Sequence, residues 1–329
     1  MANVIKLRKG FDIKLVGEAE KVMVNAPHAE TVAIKPTDFI GVIPRMLVEA
    51  GTEVKAGSPL FHDKSDEQLV FTSPVSGEVV EVRRGAKRKL LEVVILADKD
   101  IEYLDFGKDD PGSLTRGDLI DKMMKSGVWP VIRQRPYKVI ADPSDEPKAI
   151  FISAFDSAPL APDLDYIIHG QSRDFQTGID VLKKLTPGTV HISTRNNAPV
   201  SDVITNARGV QINKFEGPHP AGCVGVQIHH IDPIGKNENV WVVNLQDVLV
   251  IGRLFNEGRY NASRIIALAG SEVKSPKYYK TIVGSSVKPI ITENVSEGNN
   301  RYISGNVLNG SKISHEGYLG FYDNMITVI

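Results

Sequence analysis

The sequence predicts a multidomain chain of mixed α/β class, and three observations carry that expectation. Its 329 residues are enough for roughly two or three separate cores. The first hundred residues are short β-branched runs broken by Gly and Pro, the texture of strands and tight turns. From about Ser113 the texture changes to apolar strand runs alternating with amphipathic helices, the order that builds a parallel sheet covered by helices.

Taken in chain order, MANVIKLRKGFDIKL alternates apolar and polar residues and lacks a long apolar core, so it reads as strand and as neither signal peptide nor anchor. SLTRGDLIDKMMKSGVWP predicts a capped helix. Asp118 and Asp121 stand near its start, Leu119, Ile120, Met123 and Met124 form its apolar side, and Gly127 and Pro130 end it. KAIFISAF follows as a buried strand, DFQTGIDVLKKL as a helix and TVHISTR as a strand, and the alternation repeats toward NVWVVNLQDVLVIGRLF. The acid- and Pro-rich segment 137–148 reads as a surface crossing. From about Ser263, RIIALAG, RYISGNVLNG and YLGFYDNMITVI return to short strands and Gly turns. An ending this apolar predicts that the native chain continues beyond Ile329.

Composition removes several functions. An apolar fraction of 42% and a charged fraction of 24% are ordinary for a globular protein. A net charge of -1 sets nucleic acid aside, because neutralising phosphates takes a surplus of Lys and Arg. The single cysteine, Cys223, excludes an internal disulfide and any Cys-based zinc or iron–sulfur site, and points to a reducing compartment. No apolar run approaches the roughly 18 residues of a spanning helix, so work at a membrane would depend on partners.

Four places could carry chemistry. MLVEAGTEVKAGSPLF and FTSPVSGEVVEV resemble the two half-motifs of lipoyl and biotinyl carrier domains, which implies a barrel-sandwich hybrid. Lys64, in HDKS, follows Leu60 too closely for the strand that precedes a carrier lysine, and Asp66 and Glu67 stand where the return strand should begin. It reads as an unmodified loop lysine. Next, VVEVRRGAKRKLLEVVIL predicts a β-ribbon bending at Gly85. Arg83, Arg84, Lys87, Arg88 and Lys89 crowd its tip. Five cations in seven residues repel one another, so the tip is either solvated or set against an acidic surface, a phosphate or anionic lipid heads.

Third, SGVWPVIRQRPY lies where mononucleotide folds carry a Gly-rich phosphate loop. It has one glycine, then bulky Trp129 and Pro130, which has no amide to offer. Trp129 and Tyr137 beside Arg133 and Arg135 instead suit a flat, weakly polar ring, against the alternative of a packed turn with surface arginines.

Fourth, in FEGPHPAGCVGVQIHHIDP, Gly222 is followed by Cys223 and Val224 rather than Lys and a hydroxyl, so it is no phosphate loop. Read as a strand, VQIHHI sends His229 and His230 to opposite faces, and no metal site forms. Pro218 and Pro220 hold His219 extended at a bend, where it shapes a surface and is a secondary candidate ligand.

RGAKR (84–88), SGVWPVIRQRP, QTGIDVL (176–182), FEGPHPAG (215–222), NLQDVLVIGRLF (244–255) and SGNVLNG (304–310) occur together, in this order, in the family of the A subunit of the Na+-translocating NADH:quinone reductase. This chain resembles that family across essentially its whole length. The resemblance implies a barrel-sandwich hybrid domain with N-terminal strands over 1–100, a Rossmann-like domain lacking a flavin loop over 101–257 and a β-grasp domain of the soluble-ligand-binding type over 258–329. It further implies an accessory, peripheral subunit on the cytoplasmic side of the bacterial inner membrane, held by membrane-embedded partner subunits. Such a subunit has no cofactor, catalytic residue or metal of its own. NADH oxidation, FAD or FMN and iron–sulfur centres lie on partners, and ubiquinone is the substrate of the complex. On this expectation Arg83, Arg84, Lys87, Arg88 and Lys89 are docking candidates, and Trp129, Arg133, Arg135, Tyr137 and His219 are quinone candidates. The alternatives are a flavin-dependent NADH dehydrogenase subunit of the Rnf or complex I type and a carrier acylated at Lys64.

Overall fold

The computed structural model describes residues 4–329, which group into two units. One comprises residues 4–12, Asp105–Ala158 and Asp163–Arg259; the other comprises Ile13–Leu104, Pro159–Pro162 and Tyr260–Ile329.

The first unit is built on a seven-stranded sheet. Its strands run Val4–Lys6, Gln211–Glu216, Thr189–Arg195, Ala149–Ser153, Val240–Val243, Ile132–Arg135 and Val139–Ile140. The first five are mutually parallel, and the last two add antiparallel pairs at one edge. Buried parallel strands need no alternation, and Ala149–Ser153 and Val240–Val243 show none. The N-terminal strand Val4–Lys6 belongs to this sheet, pairing with Lys214–Glu216, rather than to the strand-rich segment that follows it. A three-residue strand carries no sequence mark of which sheet edge it will complete.

The three helices the sequence predicts all form. Arg116–Lys125 is opened by a reciprocal capping box between Thr115 and Asp118 and buries Leu119, Ile120, Met123 and Met124. Ser172–Leu185 and Leu245–Glu257 pack together at a glycine contact. A β-carbon on Gly178 would lie 2.1 Å from the Val248 carbonyl oxygen, and one on Gly252 would lie 1.8 Å from that of Asp174. The segment 137–148 is tied to the unit: Val139–Ile140 pairs with the neighbouring strand, and Arg116 donates to the Pro143 and Asp145 carbonyls.

The second unit carries three sheets. The largest is six-stranded, in the order Ser311–Ile313, Tyr302–Ser304, Met325–Val328, Ser263–Ala269, Lys277–Ile282 and Glu20–Asn25. Its core holds Ile266, Leu268, Ile291, Leu319 and Ile326. The other two have four strands, Thr31–Ile34, Leu90–Ala97, Gly77–Arg84 and Glu53–Val54, and three, Pro44–Met46, Pro59–Asp63 and Asp66–Thr72. Phe61 stacks on Phe71 at 4.6 Å, and Phe39 closes over the pair.

A hairpin does form around Lys64, contrary to the sequence reading. Pro59–Asp63 pairs with Asp66–Thr72, and Lys64 and Ser65 make the turn between them. Asp63 fixes the turn. Its carboxylate accepts from the Ile43 amide at 2.7 Å and from the Ser65 hydroxyl, and Asp66 receives the Gln68 amide.

Candidate functional site

The basic hairpin tip sits in the second unit. Gly77–Arg84 and Leu90–Ala97 pair antiparallel up to Arg84 and Leu90, and Gly85 closes the end by donating to the Lys89 carbonyl. Lys87 and Arg88 both have left-handed backbones, with φ of 56° and 60°. Gly and Asn occupy such positions at lower energy, so two long cationic side chains are held here at a conformational cost.

Arg83 leaves the cluster. Its guanidinium bonds Glu81 at 2.6 Å and Glu92 at 2.8 Å, and these carboxylates hold its pKa above the ordinary arginine value. It is a strand-face ion pair, not part of the free tip. Arg84 reaches only the Arg88 carbonyl, at 3.3 Å, and among the described residues no carboxylate pairs with Arg84, Lys87, Arg88 or Lys89.

Three of these cations line a groove of about 510 Å³, with Arg84, Arg88 and Lys89 on one side and the loop Phe39–Pro44 on the other. That loop is pinned. Val42 donates to the Phe39 carbonyl, Ile43 donates to Asp63, and Lys64 donates to the Ile43 carbonyl at 2.8 Å. Even so, Ile40 and Ile43 are 52% and 61% exposed. The sequence reading misses both; their signal is the apolar run 39–43, interrupted at Gly41 and ending where Pro44 opens the strand Pro44–Met46.

The ring-site candidates lie in the first unit and do not assemble as expected. Trp129 is fully buried. Its indole meets Trp241 edge-on at 5.5 Å, and its Nε1 donates to the Ala141 carbonyl at 2.8 Å, so no face is left for a ligand. Trp129–Val131 is one buried 3-10 turn that leads straight into the strand. Tyr137, 77% exposed, projects from the other end of that strand.

Arg133 and Arg135, on the strand Ile132–Arg135, stand opposite Val242 and Val240, beside the face covered by the helix Val224–Ile231. Arg133 donates to Asn244 at 2.6 Å. Arg135 has a buried Nε with no acceptor among the described residues, and burial, then repulsion from Arg133, pulls its pKa down. His219 belongs to a third setting. Its Nδ1 lies 3.0 Å from the Ser157 hydroxyl, and its amide donates to Asp12 at 2.8 Å.

The segment after that loop is the helix Val224–Ile231, not the strand read from its β-branched content. Val224, Ile228 and Ile231 recur at helical spacing and pack on Phe151, Val240 and Val242. Gly222 is required where the loop passes Ser157, since a β-carbon there would fall 2.4 Å from the Ser157 amide nitrogen. Cys223 precedes the helix, its pKa raised by burial and by Asp156. Among the described residues no group of three His, Cys, Asp or Glu could hold a metal, and no helix is long and apolar enough to cross a membrane.

Residues 5–98 match the NqrA N-terminal barrel-sandwich hybrid domain, 114–260 the NqrA second alpha/beta domain and 265–315 the NQRA C-terminal domain. The A subunit of the Na(+)-translocating NADH-quinone reductase of Neisseria meningitidis is 39% identical over 99% of this chain and 73% of its own length. Its counterpart in Yersinia pestis is 38% identical over the same shares. Identity at this level across three matched domains shows the family: the chain belongs to the NqrA family, the A subunits of the Na+-translocating NADH-quinone reductase.

Proposed function

We propose that this chain is a peripheral subunit of a sodium-pumping NADH:quinone oxidoreductase, docked on membrane-embedded partners at the cytoplasmic face. What carries the reading is identity of 38–39% over 99% of the chain to relatives named for that complex. In this reading NADH oxidation, the flavins and the iron–sulfur centres lie on partner subunits. The bend before the strand Ile132–Arg135 supports it: a buried Trp129-Pro130 turn presents no row of free amides to a diphosphate. The proposed domains are 1–100, 101–257 and 258–329, the second Rossmann-like and the third β-grasp, with Val4–Lys6 and Glu20–Asn25 from the first range completing sheets of the second and third. The five-stranded parallel segment supports the former assignment, and the six-stranded mixed sheet supports the latter.

Docking falls to the hairpin tip, where Arg84, Lys87, Arg88 and Lys89 have no carboxylate of their own among the described residues. A contribution to quinone access falls to the strand Ile132–Arg135. The buried, acceptor-less Nε of Arg135 suits a quinone carbonyl better than any group on Trp129 does. The test is co-purification from native membranes with a tagged chain. Recovery with membrane-embedded subunits and NADH:quinone reductase activity is expected; recovery as a free protein removes the assignment.

A further inference from the structure

We infer that the groove between the hairpin tip and the Phe39–Pro44 loop binds an anionic phospholipid of the membrane, with its phosphate on Arg84, Arg88 and Lys89 and its acyl region against Ile40 and Ile43. The inference rests on the docking surface assigned above and names its partner.

The two sides of the groove call for one ligand with two characters. Three cations without a carboxylate partner among the described residues attract an anion. Facing them are two isoleucines, more than half exposed on a loop fixed by three hydrogen bonds. Apolar side chains held out rigidly beside a cationic cluster match the two-part surface by which proteins sit on anionic bilayers. A volume of about 510 Å³ admits a headgroup and the first part of a chain, and does not require a whole lipid to be engulfed.

An acidic peptide offers the same charge, but the groove wall is ill suited to one. An extended peptide must find partners for its main-chain carbonyls. Pro36 and Pro44 have no N–H, and the amides of Phe39, Val42 and Ile43 are already consumed by Pro36, Phe39 and Asp63. An acyl chain brings no polar groups to satisfy.

The test is flotation of the purified full chain with vesicles of phosphatidylcholine alone and of phosphatidylcholine mixed with phosphatidylglycerol. Binding to the mixed vesicles only, weakening with salt, is expected. Because a surface cation contributes roughly fivefold, the combined Arg84→Gln, Arg88→Asn and Lys89→Gln variant should bind about 100-fold more weakly. Asn keeps the left-handed backbone at position 88 accessible. Ile40→Ser with Ile43→Ser should also weaken binding, whereas Lys312→Gln, on an exposed strand of another sheet, should not. All substitutions are on the surface, and unchanged melting shows the variants are folded. No flotation, equal flotation with both vesicle types, or wild-type flotation by the triple variant overturns the inference. If the chain co-purifies with membrane subunits yet ignores vesicles, the lipid assignment falls and the subunit reading stands. If it floats as expected but is absent from the complex, the reverse holds.

Discussion

The indole of Trp129 meets that of Trp241 edge-on, with centroids 5.5 Å apart and planes at 89°, and both residues are fully buried. Edge-to-face geometry places the positive ring edge on the negative face, and it ties the turn before the strand Ile132–Arg135 to the strand Val240–Val243. Trp129→Ala should therefore behave as a core deletion, costing about 3–5 kcal/mol in chemical denaturation. Intrinsic fluorescence of the native protein should be blue-shifted and resist quenching by iodide. A short-chain ubiquinone bound at Arg135 should leave it with no sign of direct stacking. Ready iodide access would show that an indole is open after all.

The contact between the helices Ser172–Leu185 and Leu245–Glu257 has no room for a methyl group. The obstacle at both glycines is a backbone carbonyl, which cannot swing aside as the end of a side chain can. Gly252→Ala should gain helix propensity of up to about 1 kcal/mol and lose more to overpacking, typically about 1–3 kcal/mol. The expected net result is a lower melting temperature, and lower still for Gly178→Ala with Gly252→Ala. A rise in melting temperature for either single variant would show that the helices separate freely.

These glycines show what the sequence makes legible. QTGIDVL and NLQDVLVIGRLF declare helices by their apolar spacing, and the capping box at Thr115 and Asp118 marks a start that local chemistry alone specifies. Local pattern fails where tertiary contact decides. VGVQIHHI is rich in β-branched residues yet is a helix, because its i, i+4, i+7 apolar residues face the sheet. Lys64 sits in a tight turn because Asp63 gathers an amide and a hydroxyl that sequence spacing does not reveal. Arg83 groups by position with its basic neighbours, but a strand sends alternate side chains to opposite faces, and its face carries Glu81 and Glu92. Trp129 reads as an open platform because nothing in SGVWPVIRQRPY shows Trp241, more than a hundred residues later, covering it.

His191 gives the molecule an acid-sensitive strand. Its ring is 6% exposed, stacks on Phe151 at 4.8 Å and lies 3.3 Å from the Asn213 amide. Burial lowers its pKa below the ordinary 6.5, against a smaller raising effect of Asp232. The unfolded ring therefore takes up a proton before the native one does. Wherever the unfolded state holds more protons, stability rises with pH, so His191 costs stability as pH falls through 6.5, and its slope dies away once the pH is well above that value. Melting temperature against pH should show this acid-side decline, and His191→Gln should shrink it. An unchanged profile in that variant would place the proton uptake elsewhere.

Cys223 offers the cleanest chemical readout because it is the only thiol in the chain. Burial raises its pKa, the Asp156 carboxylate raises it further, and Arg135 opposes them. Only the thiolate attacks an alkylating reagent, so near neutral pH iodoacetamide should label the native protein much more slowly than the urea-unfolded one. Asp156→Asn keeps the acceptor for the Ala158 amide, at 2.8 Å in the native protein, and removes the repelling charge, so it should label faster. Arg135→Gln removes the one opposing cation and should label more slowly, with intact mass following a single added group in each case. If Arg135→Gln labels faster than the native chain, the guanidinium shields the thiol sterically rather than tuning its charge.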